Sequence, residues 1–295
     1  MRYNARCLLS FGNTSADKAQ LLPENKEFCL QFVTIVKSIS WYHCYMKLEN
    51  NAKIKEIFSS IQGEGPYIGC KQIFIRFCAC NLNCFYCDTD FYPSNINDKN
   101  TFFEFTPIKL LKYLENNFDL ESTHSISLTG GEPLIWADFL KEFMPMFNQK
   151  YDIKFYLETN GTISDNAKII LPFTDILASD IKLPSCSGVN NSFELHEMFY
   201  NSVSQSVNKS YNNFSYLNNN SFAKVVFDSN ITSDEIDKTV ELAMKYHFEI
   251  ILQPRMIDDK LSVGTEFMMK IFETFVKKYK YTRLIPQVHK FINVE

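Results

Sequence analysis

Cys80, Cys84 and Cys87 stand in the run CACNLNCFYCD, with three residues between the first two and two between the last two. Three thiolates spaced this way on one short loop can ligate three irons of a cubane [4Fe–4S] cluster. The fourth iron is then open to another ligand. Closely spaced cysteines also hold tetrahedral zinc, and spacing alone leaves that reading open. A zinc knuckle needs a fourth ligand nearby, and the first histidine downstream is His124. Cys78 is the remaining candidate, but in a strand it would point away from the loop that carries Cys80.

The elements that position this loop follow a βα rhythm from Ile54 onward. Ile73 to Phe77 is a β-branched and aromatic run, hence a strand. Thr106-Pro107 opens a helix, since threonine caps well and proline suits the first helical position. Further strands are predicted at Ser125–Leu128, Ile153–Leu157, Ile176–Ala178, Ala223–Phe227, Glu249–Leu252 and Leu284–Val288. A helix over Leu134–Phe147 contains Pro145, a candidate break. Another is predicted near Ser192–Tyr200. Thr232 with Glu235 forms a capping box for a helix whose face is Ile236, Val240, Ala243 and His247. Phe267, Ile271 and Phe275 mark the last long helix.

Strands alternating with helices argue for an α/β fold of parallel βαβ units. About six strands fall short of a closed eight-stranded barrel, so the expectation is a partial (β/α)6-type barrel. Five polar groups then share one rim, at the C-terminal ends of strands, where ligands collect in such folds. They are the cysteine loop, Thr129-Gly130-Gly131-Glu132-Pro133, Glu158-Thr159-Asn160-Gly161, Ser179-Asp180-Ile181-Lys182 and Gln253-Pro254-Arg255. Singly, each also reads as a turn, a helix cap or a solvated lysine.

Composition sets the outer bounds. The chain has 295 residues, 45% hydrophobic and 22% charged, with a net charge of −4, enough for one large domain or two small ones. No basic tract suggests direct nucleic-acid binding, and no run of eighteen apolar residues suggests a membrane span. Nine cysteines, an odd number with three clustered, fit a reducing cytoplasm better than a disulfide scaffold. Residues 1–45 carry no periodic pattern and read as an extension, disordered or preceding the true start, ahead of a domain over 46–295. A Ser/Asn-rich insertion covers about 187–220.

The cysteine triplet followed by GGEP resembles the radical S-adenosylmethionine enzymes. In order come IFSSIQGEG, Arg76, Asp88-Thr89 after Cys87, ETNGT, SDIKLPS, KVVF, LQPR and PQVHK. This series resembles one family among them, the 7-carboxy-7-deazaguanine synthases, over about residues 54–291. The resemblance implies conversion of 6-carboxy-5,6,7,8-tetrahydropterin, with loss of ammonia, on the route to queuosine. It implies a [4Fe–4S] cluster on Cys80, Cys84 and Cys87, with S-adenosylmethionine and Mg2+. Tyr86, Asp88, Gly131, Glu158, Ser179, Lys182, Gln253 and Pro254 would meet S-adenosylmethionine. Ile61, Gln62, Gly63, Arg76 and Thr129 would meet the pterin, and Thr89 the magnesium. A guanidinium at Arg76 would pair bidentately with the substrate carboxylate. A flavodoxin or ferredoxin would supply electrons, and the enzyme would be a homodimer. Residues 1–45, the polar insertion and the run to Glu295 depart from the family pattern. The alternatives are a glycyl-radical activating enzyme and a zinc-stabilised binding module without catalysis. IQGEG and QVHK favour a small-molecule pocket over the first of these.

Overall fold

The computed structural model describes residues 50–87, 102–207 and 221–294. They belong to one compact unit that begins at Asn50. The expected N-terminal extension, Asp88, Thr89 and the later half of the Ser/Asn-rich insertion lie outside the described residues.

The strands are β1 (Ala52–Ile61), β2 (Lys71–Phe77), β3 (Phe103–Phe105), β4 (Ser125–Gly130), β5 (Lys154–Thr159) and β6 (Ile176–Asp180). They continue with β7 (Ser221–Phe227), β8 (Glu249–Pro254), β9 (Met256–Ile257), β10 (Lys260–Leu261) and β11 (Thr282–Leu284). Nine form one sheet in the order β11-β8-β7-β6-β5-β4-β2-β1-β3, while β9 and β10 make a separate hairpin. From β2 to β11 every pairing is parallel. β1 and β3 add antiparallel strands at one edge. Among the described residues the sheet's two edges do not pair with each other, so the expected open barrel of six parallel strands holds, with β11 as a short seventh.

The capping expectations hold. Thr106 accepts from Lys109 N at the head of α1 (Pro107–Asn117). Pro133–Trp136 form a 3-10 turn before α2 (Ala137–Asn148), which runs through Pro145 unbroken. Pro145 sits in the last turn, where only one helical hydrogen bond is lost. Next come α3 (Ser164–Ile170), the short α4 (Pro184–Ser187) and α5 (Ser192–Val207). Thr232 and Glu235 form the reciprocal capping box of α6 (Ser233–Tyr246), and α7 spans Thr265–Lys278. His247 lies beyond the α6 face; it ends the helix with φ 58°.

Two expectations shift. β1 was not expected as a strand, because its register slips between Ile54 and Glu56 and breaks the two-residue alternation. The last strand ends at Leu284 instead of Val288. Ile285 N still bonds Leu252 O at 2.9 Å, but Pro286 has no N–H to continue, and Val288–Ile292 form the short helix α8.

Most of the core lies between the sheet and the helices, where Phe139, Phe143 and Phe147 of α2 pack against Phe77 and Phe155. A second, smaller cluster plugs the inside of the sheet. Tyr156, Ile176, Ala178, Phe222 and Ile251 meet there, with Tyr67 laid edge-on to Tyr156 at 5.7 Å. These residues come early in their strands, so they floor whatever lies toward the C-terminal rim.

Candidate active site

Strand alternation sends Arg76, Thr129, Glu158, Asp180, Lys224 and Gln253 inward, above the aromatic floor. They line a cleft of about 580 Å³. Cys80, Cys84 and Cys87 line it at the rim, together with Tyr86 and Gly131. Ile61, Gln62 and Gly63 line it from the β1–β2 connection. Apart from Asp180 and Lys224, all of these are predicted positions, and they share one cavity.

Backbone hydrogen bonds fix the cysteine loop to GGEP. Gly131 N donates to Phe77 O at 3.0 Å, and Glu132 N to Ala79 O at 2.8 Å. A Cβ on Gly131 would lie 1.8 Å from Ala79 O, so only glycine permits this approach. The Glu132 side chain is fully buried and turned away from the cleft. One carboxylate oxygen accepts from Leu134 N at 3.0 Å and from Thr159 Oγ1 at 2.8 Å; the other accepts from Asn160 N at 2.7 Å. Burial pushes its carboxyl up to about 7 in spite of those donors. Asn160 in turn donates to Asn81 Oδ1 at 2.8 Å and approaches Cys80 Sγ at 3.8 Å. Glu132 thus works as an internal brace for the loop. Glu132→Gln should lower stability by about 1–3 kcal/mol, because either amide orientation turns an NH2 toward a backbone N–H. Denaturant melts of the two proteins at neutral pH check this.

The donor set fits a cubane. Leu82 N reaches Cys80 Sγ at 3.4 Å, an N–H of the kind that supports cluster sulfur. Burial raises the Cys80 and Cys84 thiols above their ordinary range, which argues against a free, activated cysteine nucleophile. Cys78, the conceivable fourth zinc ligand, is buried and does not line the cleft. Among the described residues, no three His, Cys, Asp or Glu side chains are arranged to hold a single metal ion.

Below the rim lies a charged network that sequence reasoning missed. Lys224 Nζ contacts Glu64 at 2.6 Å, Asp180 at 3.6 Å and Glu158 at 3.7 Å. Asp180 and Lys224 are register partners on β6 and β7. Burial pushes the Glu64 carboxyl up, but the Lys224 charge and hydrogen bonds from Lys224 and Gln287 outweigh it and hold it at about 2. Burial likewise disfavours the Lys224 ammonium, yet the three carboxylates keep it charged, well above the usual lysine range. Lys182 pairs with Asp180 at 2.7 Å and sits 5.2 Å above the Tyr86 ring. Glu158 also accepts from Gln62 at 3.1 Å, Ser127 at 3.0 Å and Thr129 at 3.4 Å. The legible signal was a lysine on the inward phase of AKVVF, a strand otherwise apolar there.

Arg76 is held by an ion pair with Glu56, its cross-strand neighbour on β1, and lies 5.6 Å over Phe58. Phe58 stacks on Phe74 at 5.0 Å, giving the cleft one flat aromatic wall. The C-terminal segment, left without a contact by the sequence, also enters the cleft through Gln287, His289 and Lys290. Val288 N donates to Gly63 O at 2.9 Å, and a Cβ on Gly63 would meet His289 Nδ1 at 2.2 Å.

Two expected cofactor contacts do not line the cavity. Ser179 faces the helix layer, with Oγ 2.7 Å from Tyr200 Oη, because alternation on β6 gives the inward place to Asp180. Pro254 is buried at the end of β8 outside the lining, whereas Gln253 and Arg255 are part of it. Asp88 and Thr89 lie outside the described residues.

Residues 74–181 match the Radical SAM superfamily model, a span that includes the cysteine loop and GGEP. A 7-carboxy-7-deazaguanine synthase from Archaeoglobus fulgidus is 34% identical over 247 residues, covering 82% of this chain and 99% of that protein. The chain belongs to the 7-carboxy-7-deazaguanine synthase family. A second 7-carboxy-7-deazaguanine synthase, from Geobacter sulfurreducens, is 31% identical and covers 82% of this chain and 97% of its own. The crystal structure of QueE from Escherichia coli matches with a TM-score of 0.55 at 19% identity, covering 83% of this chain and 98% of that chain. This match supports the fold assignment. Membership in the 7-carboxy-7-deazaguanine synthase family, within the radical SAM superfamily, implies a [4Fe–4S] cluster and S-adenosylmethionine. Among the described residues, no helix is long and apolar enough to cross a membrane.

Proposed function

We propose that the chain converts 6-carboxy-5,6,7,8-tetrahydropterin to 7-carboxy-7-deazaguanine with loss of ammonia, in queuosine biosynthesis. One observation carries this reading: a single cleft holds the cysteine loop at its rim and, deeper, Arg76 beside a stacked aromatic wall. When bound, the cluster and S-adenosylmethionine supply the one-electron chemistry that removes a substrate hydrogen.

The chain's own residues bind, orient and exclude. Cys80, Cys84 and Cys87 hold the cluster. Tyr86, Gly131, Glu158, Lys182 and Gln253 meet S-adenosylmethionine, joined by Asp88 after the last cysteine. For the Ser179 and Pro254 positions, any contact falls to backbone atoms, with Asp180 offering its side chain. Arg76 pairs with the substrate carboxylate, using the guanidinium edge that Glu56 leaves over. Ile61, Gln62, Gly63 and Thr129 orient the pterin, with Gln62 and Thr129 held in place through Glu158. The apolar floor and the C-terminal segment keep water from the reacting ring.

Thr89 contributes a hydroxyl to Mg2+, a hard cation suited to oxygen ligands and a substrate carboxylate. Thr89→Ala should raise the magnesium requirement for turnover severalfold and leave the cluster absorbance unchanged; a magnesium titration of both proteins measures it. A flavodoxin or ferredoxin supplies the electrons, the enzyme works as a homodimer, and its setting is the reducing cytoplasm. Anaerobic incubation with S-adenosylmethionine, a reductant and the carboxylated pterin, followed by mass analysis, tests the whole proposal. The expected product is the deazapurine acid; intact pterin beside a fully loaded, reduced enzyme would overturn it.

A further inference from the structure

Behind the cleft wall, His196 of α5 is fully buried and does not line the cavity. Its two ring nitrogens bridge two rim loops. Nε2 accepts from Lys182 N at 2.8 Å, and Nδ1 lies 2.9 Å from Gly161 O. An acceptor at Nε2 and a carbonyl at Nδ1 fix one neutral tautomer, with the proton on Nδ1. Burial agrees, holding the ring's pKa down to about 4.

Each bridged residue leads to a different part of the rim. Lys182 carries its ammonium to Asp180 and over Tyr86. Gly161 follows Asn160, whose side chain holds Asn81 and approaches Cys80. The Gly161 turn has no slack, since its φ is +67° and a Cβ there would lie 2.8 Å from Asp180 O. We propose that His196 is a positioning residue that sets the cysteine loop through Gly161 and the cofactor-binding lysine through Lys182. The second half rests on the reading of Lys182 as an S-adenosylmethionine contact.

The two bonds can be cut separately. An asparagine amide occupies the place of Nδ1 and can still donate to Gly161 O, but it leaves Lys182 N–H buried without an acceptor. A glutamine carbonyl reaches the place of Nε2 and keeps Lys182, but it abandons Gly161. With anaerobic, cluster-loaded enzyme, His196→Asn should weaken S-adenosylmethionine binding about tenfold in equilibrium dialysis. The rate at which a chelator strips iron should stay near the parent value. His196→Gln should do the reverse, releasing iron severalfold faster with S-adenosylmethionine affinity kept within about threefold. In a Lys182→Met background, His196→Asn should cost no further affinity, because the group it positions is gone.

Equal loss of both properties in both variants would reduce His196 to a packing residue and overturn the proposal. So would parent-like behaviour in both, or a full additional affinity loss in the Lys182→Met background. If the loaded parent itself fails to bind S-adenosylmethionine, the functional reading fails instead, and the iron-release comparison still decides the Gly161 half. Should His196→Gln fail to load with iron, thermal melts separate collapse from misplacement: a cooperative, parent-like transition supports the proposal, and its absence counts against it, as does any failure of His196→Asn to load.

Discussion

Cys84→Ala is expected to yield a folded protein that neither retains the cluster absorbance nor cleaves S-adenosylmethionine above background. Cys84 is the middle thiol of the loop, and its loss leaves two cysteines for a cluster that needs three. The fold should survive, because Cys84 lies in an irregular segment at the rim and the core is built from β2, β4 and their covering helices. Iron analysis and visible absorbance after anaerobic reconstitution check the first half, and cofactor cleavage under reduction checks the second. Retained cleavage at the parental rate would contradict the ligand assignment.

Lys224→Met should carry the largest stability penalty of any single change in the cleft. It removes the cation shared by Glu64, Asp180 and Glu158; Asp180 keeps Lys182, but the largely buried Glu64 and Glu158 lose their cation, which costs up to about 3–5 kcal/mol. The pH dependence carries the sign. Glu64 has a folded value of about 2, below its ordinary 4.5, so its pairing stabilises the parent above pH 4.5. That contribution is lost as pH falls from about 4.5 toward 2. The gap between parent and variant should therefore be widest near neutral pH and close as the solution is acidified. Chemical melts at several pH values measure it; a gap independent of pH would assign the cost to packing.

Much of the parallel sheet was legible because its strands are short β-branched runs that end in polar turns. ISLTGGEP and KFYLETNG each announce a strand and then the chemistry at its end. β1 was not legible, since its bulge puts the apolar residues out of phase, and with it went the pairing of Glu56 with Arg76. The cysteines could be placed from local spacing. The Lys224 network could not, because its members come from β7, β6, β5 and the β1–β2 connection and meet only through register. The Ser179 side chain lies off the cavity for a simple reason: a motif gives position along the chain, whereas strand phase decides which of two neighbours faces the cleft.

The aromatic plug beneath the cleft acts as a depth gauge. Tyr156 and Phe222 are fixed in central strands, but Tyr67 rides on the short Gly65–Tyr67 turn and only leans against them. Trimming Tyr67 should therefore loosen the plug at little cost to the sheet, because its backbone lies outside the strands. Shortening either of the other two rings would hollow the barrel itself.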